Sequence, residues 1–189
     1  MFSCHIFTTL VTNINREQKN IMQRQEEFVL KKILDDNKHS IYRICRIYAV
    51  SPLEPQDLFQ EVVFQIWKSL PSFKENSSMN TWIYKIALNV CTRRKHQLKK
   101  SNRETVRLES IEFELSESPT NINQQEKYKA LYDCIYCLEE SDQKVIVLYL
   151  EELAYKKIAE ITNLTENHIA VKMKRMRKIL LDCITLKLK

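Results

Sequence analysis

The 189-residue chain (22.6 kDa) has room for one ordinary domain or two small ones, and it contains no glycine and four prolines. It is rich in Lys, Glu, Leu and Ile. The residues on which tight β-hairpins depend are scarce, which excludes a sheet-rich fold and leaves an all-α one. The formal charge of +6 is unevenly spread: residues 1–38 carry +1, 39–100 carry +6, 101–154 carry −7 and 155–189 carry +6. Two basic blocks around an acidic one suggest two places where phosphates are met, the acidic stretch opposing non-specific binding. Chance clustering of solvated faces is the plainer alternative.

In chain order, residues 1–21 lack the basic start and unbroken apolar stretch of a signal peptide, so they are an extension outside the pattern that follows, with Met22 as the expected start. No apolar run approaches the ~20 residues needed to cross a bilayer, and no membrane insertion is expected. Cys4, Cys45, Cys91, Cys134, Cys137 and Cys183, without an export signal, read as reduced and mostly buried thiols of a cytoplasmic protein. Cys134 and Cys137 have the spacing of a metal or redox pair, but no second Cys pair or close His pair completes a site. Neither a metal nor a cofactor is expected.

The first module is predicted over residues 22–98. Ile41, Ile44, Cys45 and Tyr48, then Phe59, Val63, Ile66 and Leu70, then Ile83, Ala87 and Val90 recur at helical spacing. Pro52 and Pro55 stand where a helix begins and Pro71 follows the second run, so three or four packed helices are the natural reading. Trp67 lies on an apolar face and reads as core; Trp82 stays open between packing and nucleic-acid contact. Residues 99–125 are polar, with no sustained apolar face beyond a short helical stretch near Val106–Leu115, and are predicted to be a flexible linker.

The second module, 126–189, carries runs at Leu131, Ile135 and Leu138, at Val145, Ile146, Leu148 and Tyr149 with Ser141 as cap, and at Ile158 and Ile161. A last helix starts near Glu166. Ala159, Asn163 and Ile169 have helix-turn-helix spacing: a small residue where two helices meet, a residue tolerant of left-handed backbone in the turn, and an apolar plug between the helices. Thr165 is placed to cap the second helix. On that helix Ile169, Met173, Met176 and Leu180 form the inner stripe. Glu166, Asn167, His168, Ala170 and Val171 are placed to read base edges, and Lys172, Lys174 and Arg175 to hold phosphates. An ordinary basic helix in a bundle is the alternative.

The stretch Asp57–Lys95, with its Asp-Leu-x-Gln-Glu start, the Trp67 helix, the Phe-Lys-x-x-Ser-Ser loop and a Thr-Trp-Ile-Tyr-Lys-Ile-Ala-x-Asn run, resembles region 2 of the extracytoplasmic-function (ECF) sigma factors of the sigma-70 family. The C-terminal segment is similar to region 4 of the same family, in the same order. The resemblance implies two small helical domains, core RNA polymerase and promoter DNA as partners, an anti-sigma factor as a further partner, and promoter recognition in transcription initiation as the activity. It assigns Asp57, Leu58, Gln60 and Glu61 to polymerase binding. It assigns Lys74, Asn76, Ser77, Ser78, Asn80, Thr81, Trp82, Lys85, Asn89, Arg93 and Arg94 to the −10 element, and the residues from Thr165 to Arg175 named above to the −35 element. Where the family often has Gly in the base-capturing loop, this chain has Glu75-Asn76.

A 27-residue linker extends to at most about 90–95 Å, against roughly 70–85 Å for ~20–25 base pairs, so both modules can engage one promoter. No nucleophile, base and oxyanion site assemble, and no enzymatic activity is expected. A helix-turn-helix regulator that binds duplex DNA without polymerase stands as the rival; it would dimerise on a palindrome.

Overall fold

The computed structural model describes residues 27–100 and 122–188. Their regular structure is helical: α1 (27–48), α2 (Pro55–Ser69) running into a 3₁₀ turn (Leu70–Ser72), α3 (Met79–Lys100), α4 (Ile122–Tyr136), α5 (Glu140–Leu150), α6 (Tyr155–Thr162) and α7 (Glu166–Lys187). The N-terminal extension, Met22 and the short helix near Val106–Leu115 lie outside the described residues. α3 and α4 reach into the expected linker from either side, because Lys and Gln are good enough helix formers to prolong a solvated turn without an apolar face.

α1, α2 and α3 make the first core. Ile41, Ile44, Cys45 and Tyr48 meet Leu58, Val62 and Ile66 of α2 and Ile83, Ala87 and Val90 of α3, all buried. The buried stripe of α2 therefore runs through Leu58 and Val62 and not, as the sequence pattern suggested, through Phe59 and Val63, which are half-buried. Trp67 is a correction of the same kind. Ile66 occupies the inward position, and one residue of helix turns its neighbour by 100°, so Trp67 is 48% exposed and rests on Phe64 with ring centroids 5.9 Å apart.

In the second core, α5 contributes Val145–Leu148, α6 Ile158, Ala159 and Ile161, and α7 the expected stripe Ile169, Met173, Met176 and Leu180. Ser141 does not cap α5. The helix begins one residue earlier, and the Ser141 hydroxyl accepts from Lys172 at 3.0 Å. The cysteines also depart from the all-thiol expectation: Cys134 of α4 and Cys183 of α7, 49 residues apart in sequence, are joined by a disulfide. Packing α4 against α7 brings the two together, and no local spacing signals it. Cys45, Cys91 and Cys137 are thiols.

The two modules pack on one another, α3 lying against α6. Arg43 of α1 donates to both oxygens of Glu151, at 2.7 and 2.5 Å, and Arg46 lies over the Tyr132 ring. His96 and Glu140 pair at 2.6 Å. The central contact is Lys95, only 7% exposed, which donates to Gln143 at 2.7 Å and sits 4.5 Å from the centre of the Tyr136 ring and 5.8 Å from that of Tyr48.

Burial, reinforced by neighbouring Lys99 and only partly opposed by Glu140, lowers the Lys95 amine from about 10.5 to about 8. An opened chain hydrates this amine and restores its ordinary value. Between those two values the open form binds a proton that the closed form lacks, so closure is favoured as pH rises through the window, while below about 8 the amine is charged in both forms and its burial cost stands in full. Energy transfer between dyes on the two modules is expected to report a larger closed fraction at a pH of about 9.5 than at about 7.5, and Lys95→Met is expected to abolish that difference.

Candidate nucleic-acid interface

The helix-turn-helix is built by local rules. Asn163 ends α6 in the left-handed region at φ 58° and ψ 34°, and the Leu164 N–H donates back to the Ala159 carbonyl at 3.2 Å. Thr165 then caps α7, its hydroxyl accepting from the His168 backbone N–H at 3.2 Å. With the inner stripe of α7 buried, Glu166, Asn167, His168, Ala170, Val171, Lys174 and Arg175 come out together on the solvent side of its first turns, and Thr165 is exposed beside them.

Lys172 is different. Its side chain is 15% exposed, and its Nζ donates to Asp142 at 2.6 Å as well as to Ser141. Arg175 donates to the other Asp142 oxygen at 2.5 Å while keeping much of its surface in water. Asp142, 3% exposed, thus fastens the recognition helix to the first turn of α5 through both cations. No sequence pattern points to this residue, since the partners lie 30 and 33 residues away. Further along α7, Arg177 donates to the Tyr149 hydroxyl at 3.0 Å and lies over its ring.

On the first module, Asp57 and Gln60 are exposed at the start of α2, whereas Leu58 points into the core. Glu61 is already paired, with Arg93 at 2.8 Å and Arg94 at 3.0 Å, so one carboxylate ties α2 to the later turns of α3. In the loop before α3, Phe73 packs against the half-buried Trp82 with ring centroids 5.0 Å apart. Lys74 and Asn76 are exposed, Ser77 is half-buried, and Glu75 takes φ 54°, a left-handed backbone that glycine adopts without a Cβ penalty.

Ser78 and Thr81 are engaged with each other. The Ser78 hydroxyl accepts from the Thr81 N–H at 3.3 Å, in the manner of a helix cap, and the two hydroxyls lie 2.8 Å apart. Thr81 is buried, which places it beneath the surface and not on it. Asn80 is exposed at the first turn of α3, and Lys85, Asn89 and Arg93 are exposed on successive turns of one face. The Lys85 amine reaches Asn163 at 3.5 Å, so the turn of the second module meets this exposed face of α3.

Comparison with known proteins agrees with this two-module architecture. The family model for sigma-70 region 2 matches residues 33–101, and that for sigma-70 region 4 matches residues 128–180. The chain belongs to the sigma-70 family of RNA polymerase sigma factors and acts in transcription initiation. Its likeness to curated relatives assigns it to the ECF group. It is 24% identical over 169 residues to the ECF RNA polymerase sigma factor SigW of Bacillus subtilis (strain 168), covering 84% of this chain and 90% of that protein. It is 22% identical to RNA polymerase sigma factor SigV of the same strain, covering 80% and 89%. The fold is similar to that of CnrH in complex with the cytosolic domain of CnrY, with a TM-score of 0.64 at 13% identity over 88% of this chain and 96% of that one. It is also similar to the sigma factor RpoE in complex with the anti-sigma factor NepR from Bartonella quintana, with a TM-score of 0.63 at 16% identity over 82% and 96%.

The Asp142 ion pairs carry an energetic consequence. Removing one partner of a buried pair strands the other without compensation, which costs more than the pair itself contributes. Asp142→Ala is expected to lower the stability of the chain by about 3 kcal/mol, measured by urea unfolding, while Lys174→Ala on the exposed side changes it by less than about 0.5 kcal/mol.

Proposed function

We propose that this sigma factor divides promoter recognition between its two modules, the first turns of α7 reading the −35 element and the Phe73–Met79 loop with the outer face of α3 taking the −10 element. The observation that carries this reading is the clustering of exposed polar and basic groups at these two places. On α7, Glu166, Asn167 and His168 offer hydrogen-bonding groups to base edges, Ala170 and Val171 offer apolar contact to a thymine methyl, and Lys174 and Arg175 neutralise phosphates. Lys172 serves chiefly to hold α7 in place through Asp142.

On the first module, Lys74 and Asn76 stand beside a Phe73–Trp82 aromatic pair that supplies a stacking surface for an unpaired base. Lys85, Asn89 and Arg93 follow the phosphates along α3, with Asn80 at its start. Ser78 and Thr81 shape the loop by capping α3, and Arg94 acts with Glu61. Core polymerase docks on the exposed start of α2 through Asp57 and Gln60. Leu58 anchors that helix from beneath, and Glu61 is held by its arginines as part of the same surface. Phosphodiester chemistry belongs to the polymerase, and the protein works in the cytoplasm.

Promoter elements ~20–25 base pairs apart lie roughly 70–85 Å from one another, so the packed modules must part, through loss of the Lys95, Arg43 and His96 contacts, before both are engaged. An anti-sigma factor is the natural opposing partner, as NepR is a partner of RpoE, and keeping the modules packed is the way in which it would oppose initiation here. Run-off transcription with bacterial core polymerase tests the docking assignment. Asp57→Lys/Gln60→Lys is expected to reduce discrete initiation by about tenfold or more, as loss of a charge-complementary surface does, while leaving the melting midpoint unchanged. Wild-type initiation by the double variant would remove α2 from the docking surface. A dimer that shifts palindromic duplexes without directing initiation would favour the regulator reading instead.

A further inference from the structure

Cys134, Cys137 and Cys183 stand apart from the interfaces just described. Cys134 is 2% exposed and bonded to Cys183, which is half-buried on α7. A sulfur so covered is poorly reached by any oxidant or reductant in solution. Cys137, by contrast, is an exposed thiol in the turn just past the end of α4, three residues beyond Cys134. Its backbone N–H still bonds to the Asp133 carbonyl at 3.3 Å, so the last turn is formed up to that point. Residues three apart on a helix bring their Cβ atoms to about 5–6 Å, and a disulfide needs about 3.5–4.5 Å. Gln143 holds the Ile135 and Tyr136 carbonyls and the Leu138 N–H bonds to Ile135, so the remaining approach of Cys137 to Cys134 falls to the torsions of Cys137 itself, just past the end of α4.

The surroundings of Cys137 add a second observation. It borders a cleft of about 250 Å³ at the junction of the modules, lined by Lys95, His96, Lys99, Leu138 and Glu140 among others. Lys95 and Lys99 are matched there by Glu139 and Glu140, so the cleft is polar without favouring one sign of charge and admits a small polar molecule beside the thiol. The other thiol pair behaves differently. Cys45 and Cys91 have their sulfurs 4.0 Å apart inside the first core, where burial pushes the Cys45 thiol well up, and no exposed cysteine adjoins them among the described residues.

We propose that Cys134, Cys137 and Cys183 form a thiol–disulfide exchange site at which a low-molecular-weight disulfide oxidises the C-terminal module, with Cys137 as the entry thiol and Cys134–Cys183 as the final bridge. The Cys137 thiolate attacks the small disulfide, forming a mixed disulfide and expelling one small thiolate. Cys134 attacks the Cys137 sulfur and expels the second. Cys183 then attacks the Cys134 sulfur and returns Cys137 to its thiolate. In sum two protein thiols are oxidised, one small disulfide is reduced to two thiols, and the two protons pass to those products. The bridge ties α4, which carries Tyr132 and Tyr136 at the junction of the modules, to the distal half of the recognition helix.

The test uses the full-length chain, reduced, freed of reductant and mixed with glutathione disulfide, with alkylation at timed intervals and peptide mass mapping. The wild type is expected to converge on Cys134–Cys183 with Cys137 alkylated. Cys137→Ser, at an exposed position that leaves the fold intact, is expected to reach the same bridge about tenfold more slowly, because the buried Cys134 thiol or the half-buried Cys183 thiol must then attack glutathione disulfide itself. Cys134→Ser is expected to stall with glutathione on Cys137. Bridge formation by Cys137→Ser at the wild-type rate would overturn the entry role, and free Cys134 and Cys183 thiols in the wild type under excess glutathione disulfide would overturn the site. The readout is covalent, so it is independent of whether the chain directs transcription.

Discussion

The arrangement hangs on two adjacent polar residues in the first turn of α5. Asp142 receives Lys172 and Arg175 from the recognition helix, while Gln143 donates to the carbonyls of Ile135 at 3.0 Å and Tyr136 at 2.6 Å, closing the end of α4, and accepts from Lys95 of the other module. Both are buried. In that setting a polar side chain must find partners or carry a desolvation penalty of several kcal/mol. Their satisfaction therefore specifies where three other elements lie. α5 itself is otherwise a wall of Val145, Ile146, Val147 and Leu148 that gives cohesion without direction.

The contact between modules adds charged and aromatic groups to a hydrophobic cluster that includes buried residues of both. It is assembled from charged and aromatic groups, Arg43 with Glu151, His96 with Glu140, Arg46 with Tyr132 and Lys95 with Tyr136. Such contacts exchange readily for water, since the groups are stable when solvated. Two charges in this interface are withdrawn from water: the Glu151 side chain is 3% exposed and held by Arg43, and burial lowers the Lys95 amine to about 8.

Several of the side chains proposed to meet a partner also build the fold. Glu61 lies on the helix assigned to polymerase docking yet binds two arginines of α3, and Lys172 lies on the recognition helix yet is mostly withdrawn to Asp142. Ser78 caps the helix that follows the loop proposed to capture a base. Substitution at these positions mixes a loss of shape with a loss of contact. Asp57, Lys74 and Asn89, exposed and remote from the cores, separate the two effects better.

What the sequence by itself determined is whatever local geometry enforces. Helical periodicity placed Ile169, Met173, Met176 and Leu180 inward, and the left-handed tolerance of Asn163 with the capping hydroxyl of Thr165 marked the helix-turn-helix. The motifs from Asp57 to Lys95 identified the first module. The tertiary structure alone decided which side chains separated by tens of residues meet: Asp142 with Lys172 and Arg175, Cys134 with Cys183, Lys95 with Gln143. It also decided matters of a single residue, turning Trp67 outward and Thr81 inward. The physical reason is that spacing along a helix fixes direction only relative to neighbouring turns. Long-range partners and the last rotation about the helix axis are set by how whole elements pack.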